Sequence, residues 1–271
     1  MQLSEFTPNT KKFHTPEHLM KCLGCIDLTS LNATDTDADI EAMAKKVNHF
    51  SHHFPHLPHV AAICVYPSFA KLLRQTLEVP DVRIAVTGAG FPASQTFLHI
   101  KTEECRMAVE EGADEVDIVL SLNHFLSNAF DKTFQEIAAV KAVMGKASLK
   151  VILETGALSD PELIAKASKI AMDAGADFIK TSTGKITPAA TPQAAMVMCR
   201  EIREYNHQTG IRVGFKPAGG IVTVKDALTY YAIVHDILGD EWLTPKLFRI
   251  GASRLANNLL SAISGAPVTY F

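Results

Sequence analysis

The sequence predicts a single-domain α/β protein of the (β/α)8 barrel class, on three observations. Short β-branched and apolar runs recur at a spacing of roughly 30 residues, the length of one strand-helix unit. Amphipathic stretches with helical spacing separate them, which argues for parallel strands covered by helices. Eight such units fit within the chain, and eight is the number that closes a barrel.

The strands are read near Gly24–Leu28, Val60–Tyr66, Val82–Thr87, Glu115–Leu120, Leu149–Glu154, Phe178–Ser182, Arg212–Lys216 and Phe248–Gly251. Each is a run with few polar residues, as expected of strands buried on both faces. Helices are expected over Thr102–Glu111, Phe130–Met144, Asp160–Ala174, Thr191–Tyr205 and Lys225–Leu238. Ser159-Asp160-Pro161 and Thr191-Pro192 set a proline in a first helical turn, where its missing N–H costs nothing. Gly112-Ala-Asp-Glu-Val-Asp117 and Gly175-Ala-Asp-Phe-Ile-Lys180 both lead from a helix end through glycine into a strand. No linker or low-complexity tract divides the chain, so residues 1–271 form one domain, with the barrel over about 20–263. A short N-terminal extension precedes it. Gly265-Ala-Pro-Val-Thr-Tyr-Phe271 follows it and is expected to be a mobile tail.

The bulk properties exclude several classes. A net charge of −3 supplies no basic surface for nucleic acid or an anionic membrane. No apolar run is long enough to span a bilayer, and the N-terminus lacks the basic start and apolar core of a signal peptide, so a cytoplasmic location is expected. The five cysteines are no disulfide framework, and Cys22-x-x-Cys25 has no second pair to make a metal site. The segment 48–59 holds five histidines, but it reads as a frayed helix end and a proline-broken loop at the base of the barrel. No metal site is expected at either place.

In this fold the chemistry gathers at the C-terminal ends of the strands, which selects Asp27, Asp117, Glu154, Lys180 and Lys216. Phe178-Ile-Lys-Thr-Ser-Thr-Gly-Lys185 and Val213-Gly-Phe-Lys-Pro-Ala-Gly-Gly-Ile221 each put a lysine at the end of an apolar run, before small residues. Strands six and seven are neighbours, so Lys180 and Lys216 share one cavity. Two ammonium groups there repel, and at least one amine is expected to lose its proton more readily. A neutral amine adds to a carbonyl and forms a Schiff base. Asp117 needs a cationic partner inside an apolar strand and serves either as counter-ion or as proton shuttle. Asp27 is a salt-bridge partner or a loop-orienting group, and Glu154 is a further partner for the lysines. Gly184 and Lys185 after strand six, Gly219 and Gly220 after strand seven, and Gly251 and Ser253 after strand eight offer N–H groups and charge to a phosphate.

At these residues the chain resembles the deoxyribose-phosphate aldolase family of class I aldolases. The resemblance runs from about Cys25 to Leu255. It rests on Ile26-Asp-Leu-Thr-Ser-Leu-Asn32, Ala61-Ala-Ile-Cys-Val-Tyr-Pro67, Gly112-Ala-Asp-Glu-Val-Asp117, Lys150-Val-Ile-Leu-Glu-Thr-Gly156, the two lysine segments and Arg249-Ile-Gly-Ala-Ser253. It implies reversible cleavage of 2-deoxy-D-ribose 5-phosphate to acetaldehyde and D-glyceraldehyde 3-phosphate, as in deoxynucleotide catabolism, without metal or organic cofactor. By the resemblance Lys180 forms the Schiff base, Lys216 perturbs it and takes part in proton transfer, and Asp117 is the acid/base residue acting through water. Asp27 and Tyr270 are supporting residues, Tyr270 by folding over the barrel mouth. The glycine loops, Lys185 and Ser253 bind the phosphate. The chain departs from the pattern at Val222, where many relatives carry arginine, and at Arg254, where many carry serine. A transaldolase-type Schiff-base barrel and a non-catalytic sugar-phosphate binder remain as alternatives, and a homo-oligomer is compatible with the sequence.

Overall fold

The computed structural model describes residues 8–158 and 160–271. Ser159 and the first seven residues of the N-terminal extension therefore lie outside the described residues. Eight strands form one sheet: β1 (Ile26–Thr29), β2 (Ala62–Val65), β3 (Arg83–Gly88), β4 (Glu115–Val119), β5 (Ser148–Ile152), β6 (Phe178–Lys180), β7 (Gly214–Lys216) and β8 (Ile250–Ala252). All seven ladders are parallel, in the order β7-β6-β5-β4-β3-β2-β1-β8. Between β7 and β8 the ladder thins to bridges at Phe215–Phe248 and Ala218–Gly251. Pro217 has no N–H to give there, but its carbonyl accepts from Gly251 N at 3.0 Å, and Phe215 exchanges bonds with Leu247 and Arg249. These contacts close the barrel.

Ten α-helices among the described residues surround it: α1 (Pro16–Gly24), α2 (Asp37–His53), α3 (Ala70–Thr76), α4 (Leu98–Glu110), α5 (Leu122–Leu126), α6 (Phe130–Val143), α7 (Pro161–Asp173), α8 (Pro192–Thr209), α9 (Val224–Leu238) and α10 (Leu255–Ser264). Their starts are chemically marked. Thr36 with Asp39, and Thr223 with Asp226, form reciprocal capping boxes on α2 and α9. Asp160 and Thr191 cap α7 and α8 just before a proline. Gly210, in the left-handed region, ends α8.

Outward strand residues such as Ile63, Ile84, Val116, Leu149 and Ile179 are buried beneath the helices and form the main core. Inward positions differ around the barrel. Ala62, Cys64 and Ala85 make a small apolar cluster on one side, and charged side chains occupy much of the rest.

The C-terminal segment is not the mobile tail expected from its glycine and proline. It folds back along α10 and α2. Ser261 Oγ accepts from Val268 N at 2.8 Å, and Asn257 Oδ1 accepts from Tyr270 N and Phe271 N, each at 2.9 Å. Phe271 stacks on Phe50 with centroids 5.6 Å apart, and Tyr270 packs on Phe54. Two aromatic rings and an asparagine clamp outweigh the local flexibility of Gly265 and Pro267.

Cys22 and Cys25 are buried free thiols. Burial pushes the Cys25 thiol up to about 12, opposite to what a redox cysteine needs. The histidine-rich stretch ends α2 and its following loop, and no metal-holding group of three ligands occurs among the described residues.

Candidate active site

Parallel register decides which side chains meet. Asp117 pairs with Lys150 across β4 and β5, Ile152 with Lys180, and Lys180 with Lys216 across β6 and β7. Paired residues point to the same side of a sheet, so these lysines enter the barrel interior with Asp117.

There they form one connected ionic network. Lys180 Nζ and Lys216 Nζ both donate to Asp117 Oδ2 at 2.7 Å. Lys216 Nζ also lies 2.5 Å from Asp27 Oδ2, and Arg249 Nη1 donates to Asp27 Oδ1 at 2.6 Å. Glu115 accepts from Arg249 Nη2 at 2.7 Å and from Lys150. Lys150 Nζ stands 3.4 Å from Asp117 Oδ1. Every member is at least nine-tenths buried.

Isolated charges would not be tolerated at such depth, so pairing is what makes the arrangement stable. For Asp117, burial opposes the charge, but Lys180, Lys216 and Lys150 outweigh it and hold the carboxyl well below the usual carboxylate range. Asp27 is lowered in the same way, with Lys216 and Arg249 the main counterweights to burial. For Lys216, burial works against the cation, yet Asp117 and Asp27 raise its amine above the ordinary lysine value. The two lysines therefore do not simply repel across an empty gap. Asp117 stands between them, and Lys216 is firmly cationic.

The network contains four cations and three carboxylates, an excess of one positive charge. Lys150 and Lys216 each reach more than one carboxylate, whereas Lys180 touches Asp117 alone. Lys180 is also the network member that lines the mouth cavity, a space of about 480 Å³ at the C-terminal strand ends.

The three glycine loops border the same cavity. Gly184 and Lys185 come from the β6 loop, Gly219 and Gly220 from the β7 loop, and Gly251 and Ser253 from β8 and its loop. Arg254 and Val222 line it too, so the cation is present at Arg254 and absent at Val222. At Gly219, with φ +89°, a Cβ would come 2.6 Å from Ala189 Cβ, so only glycine lets the β6 and β7 loops meet. At Gly251 a Cβ would sit 3.2 Å from Lys216 Cε, so the missing side chain leaves room for that lysine. The first turn of α10 follows Arg254 and turns its free N–H groups toward this end.

Glu154 is placed differently from expectation. It does not touch the lysines but accepts from Thr183 N at 3.2 Å and from Thr183 Oγ1 at 2.5 Å. Thr183 Oγ1 in turn accepts from Lys185 N at 3.0 Å. Glu154 holds φ +54°, an uncommon conformation for a side-chain-bearing residue, and thereby anchors the β6 loop. Lys185 Nζ donates to Leu31 O at 2.6 Å across the cavity. Asp27 lies beneath the cavity as a salt-bridge partner. Tyr270 is not brought to the site, because its hydroxyl donates to Lys46 O at 2.7 Å on α2.

Three members of the network, Lys150, Arg249 and Glu115, carry no role in the sequence reading. The signal available was parity. Glu115 is two residues from Asp117, Arg249 is two from Gly251, and Lys150 is a lone cation within an apolar strand.

A (β/α)8 barrel with a buried lysine pair bridged by a carboxylate at its strand ends, under a cavity ringed by glycine loops, has the construction of a class I aldolase. The profile of the DeoC/LacD family aldolases matches residues 22–253. A deoxyribose-phosphate aldolase of Bos taurus is 43% identical over 248 residues, covering 88% of this chain and 78% of its own. A putative deoxyribose-phosphate aldolase of Caenorhabditis elegans is 40% identical, covering 96% and 86%. Among solved structures, a putative deoxyribose-phosphate aldolase of Coccidioides immitis superposes with TM-score 0.75 at 25% identity, over 91% of this chain and 86% of that one. One from Toxoplasma gondii gives 0.82 at 20% identity, over 94% and 97%, a likeness of fold. The chain belongs to the DeoC/LacD aldolase family and is a class I aldolase, a carbon–carbon lyase. That sets aside the transaldolase-type and non-catalytic alternatives.

Proposed function

We propose that this aldolase reversibly cleaves 2-deoxy-D-ribose 5-phosphate to acetaldehyde and D-glyceraldehyde 3-phosphate, with Lys180 as the Schiff-base amine. The observation that carries the reading is the position of Lys180. It alone of the ionic network lines the mouth cavity, and it touches one carboxylate, Asp117, at 2.7 Å. An excess of one positive charge in a buried network is relieved when one amine is neutral. Lys180 is the amine of the network with the fewest carboxylates in reach and the one open to a carbonyl in the cavity.

The neutral amine adds to C1 of the open-chain sugar, and the carbinolamine loses water to give the iminium. A base then takes the proton from the C3 hydroxyl, the C2–C3 bond breaks, and its electron pair moves toward the iminium nitrogen as the enamine of acetaldehyde. D-Glyceraldehyde 3-phosphate leaves, the enamine takes a proton at C2, and water releases acetaldehyde. Asp117 suits the proton steps. Its Oδ1 accepts no hydrogen bond from the protein, while Oδ2 binds both lysines. Lys216, held cationic by two carboxylates, offers a fixed positive charge and a donor to the developing oxyanion.

At the other end of the substrate, Lys185, Arg254 and the N–H groups of the Gly219-Gly220 and Ser253 loops suit the phosphate. We place the reaction in the cytoplasm, as a carbohydrate-degrading step of deoxynucleotide catabolism. No described helix is long and apolar enough to cross a membrane. A homo-oligomer is also proposed, through the exposed Phe97, Leu98, Ile100 and Met107 of and beside α4. Light scattering of a Met107→Glu variant tests that face. The substrate is tested by following aldehyde release from the 5-phosphate and from free deoxyribose. A preference for the unphosphorylated sugar would overturn the assignment.

A further inference from the structure

The opposite end of the barrel carries a second cavity, of about 580 Å³, comparable in size to the mouth. Its lining belongs to strand beginnings and the turns that feed them. Arg83 opens β3, Glu115 opens β4 and Phe178 opens β6, while Lys146 and Lys246 precede β5 and β8. These are the N-terminal strand ends, so the cavity is separate from the substrate mouth.

Its charges are unevenly answered. Lys146 and Lys246 are exposed and form no ion pair among the described residues. Arg83 reaches only Asp114, at 4.0 Å, and that carboxylate is already held by Arg74 at 2.9 Å. Glu115, the other acidic residue of the lining, is engaged by Arg249 and Lys150. Of the four cations in the lining, Arg249 is bound to Asp27 and Glu115, which leaves Arg83, Lys146 and Lys246 around one concave space whose two carboxylates already have partners. Like charges gathered around a low-dielectric wall raise each other's energy and concentrate anions. The Phe178 ring closes the inner end, with its centroid 5.6 Å from Lys150 Nζ and 5.8 Å from Arg249 Cζ. Glu115 and Arg249, the lower members of the ionic network, form the floor of the cavity beside the ring, whereas Lys180, Lys216 and Asp117 lie above it and do not line it.

We propose that the N-terminal end of the barrel binds a small oxyanion bearing two or more negative charges, of the phosphate class. Lys146 and Lys246 supply compact charge, and Arg83 a planar fork that fits two oxygens of a tetrahedral anion. The cavity is larger than inorganic phosphate, which leaves space for a substituent on the phosphate. The proposal does not depend on the substrate assigned to the mouth.

Equilibrium dialysis of the full chain with radiolabelled inorganic phosphate tests it. The wild type is expected to bind two equivalents, one at each end. The double variant Lys146→Ala/Lys246→Ala should lose one equivalent while its aldol cleavage stays within about two-fold, since exposed lysines away from the mouth contribute little to folding. The double variant Lys185→Ala/Arg254→Ala should lose the other. If the wild type binds one equivalent and the Lys146/Lys246 variant none, the base site stands and the phosphate assignment at the mouth falls. A Lys146/Lys246 variant that binds as many equivalents as the wild type overturns the proposal.

Discussion

Replacing Asp117 with asparagine removes one negative charge and keeps the shape. In the wild type, Asp117 is fully buried and is reached by Lys180 and Lys216 at 2.7 Å and Lys150 at 3.4 Å. Without it, four cations face only Asp27 and Glu115. Breaking a buried ion pair from one side typically costs about 3–5 kcal/mol. The variant is predicted to lose stability in that range at neutral pH and to recover part of it as pH rises and a lysine sheds its proton. The acid limb reports the same group. The folded-state carboxyl of Asp117 is lowered, so its contribution is present above the unfolded carboxyl's pKa and is lost as pH falls below it. Asp117→Asn should therefore flatten the loss of stability that the wild type shows below about pH 4. Turnover should fall by about 10²–10⁴, the usual worth of a positioned acid or base, with a much smaller change in KM. Urea unfolding across pH and steady-state kinetics read the two effects separately. Near-normal kcat with a raised KM would refute the proton-transfer role. An unchanged acid limb would refute the electrostatic account.

Lys216→Leu removes the cation held by Asp27 and Asp117, and it should leave a folded protein whose turnover is down by about two orders of magnitude or more. A near-normal rate would remove Lys216 from the mechanism. Lys185→Ala and Arg254→Ala should each raise KM for the 5-phosphate and leave cleavage of free deoxyribose nearly unchanged. Equal losses on both substrates would show that these cations do not meet the phosphate. Tyr270→Phe deletes a hydroxyl bonded to Lys46 O, so exchange of the acetaldehyde methyl protons with solvent should stay within about two-fold of wild type. A large slowing, followed by NMR, would mean that the tail leaves its seat and reaches the mouth.

All eight strands were legible because their outward faces are apolar, their inward faces carry only isolated polar residues, and helix ends and glycine turns bound them. Lys180, Lys216 and Asp117 were legible for the complementary reason, as charges in runs that otherwise exclude them. What the chain hides is register. Only the pairing of Asp117 with Lys150 makes a third lysine part of the centre, and register depends on how eight strands stagger around the barrel. Arg249 falls inside the strand read at Phe248–Gly251, but its partners Asp27 and Glu115 come from the first and fourth strands, which no local rule brings beside it. Glu154 was misdirected because its left-handed backbone turns its carboxylate to Thr183 instead of the lysines. The tail was misread because glycine and proline signal local freedom, whereas its seat depends on Asn257, Phe50 and Phe54, which no local rule places beside it.

The proposed mechanism makes Lys180, and not Lys216 or Lys150, the amine that joins the substrate carbonyl. Borohydride reduction in the presence of acetaldehyde, followed by peptide mass spectrometry, tests it most directly. One ethyl adduct per chain is expected, on Lys180, and none in a folded Lys180→Ala variant. An adduct on Lys216 or Lys150 in the wild type, or no adduct under conditions where cleavage proceeds, would contradict it.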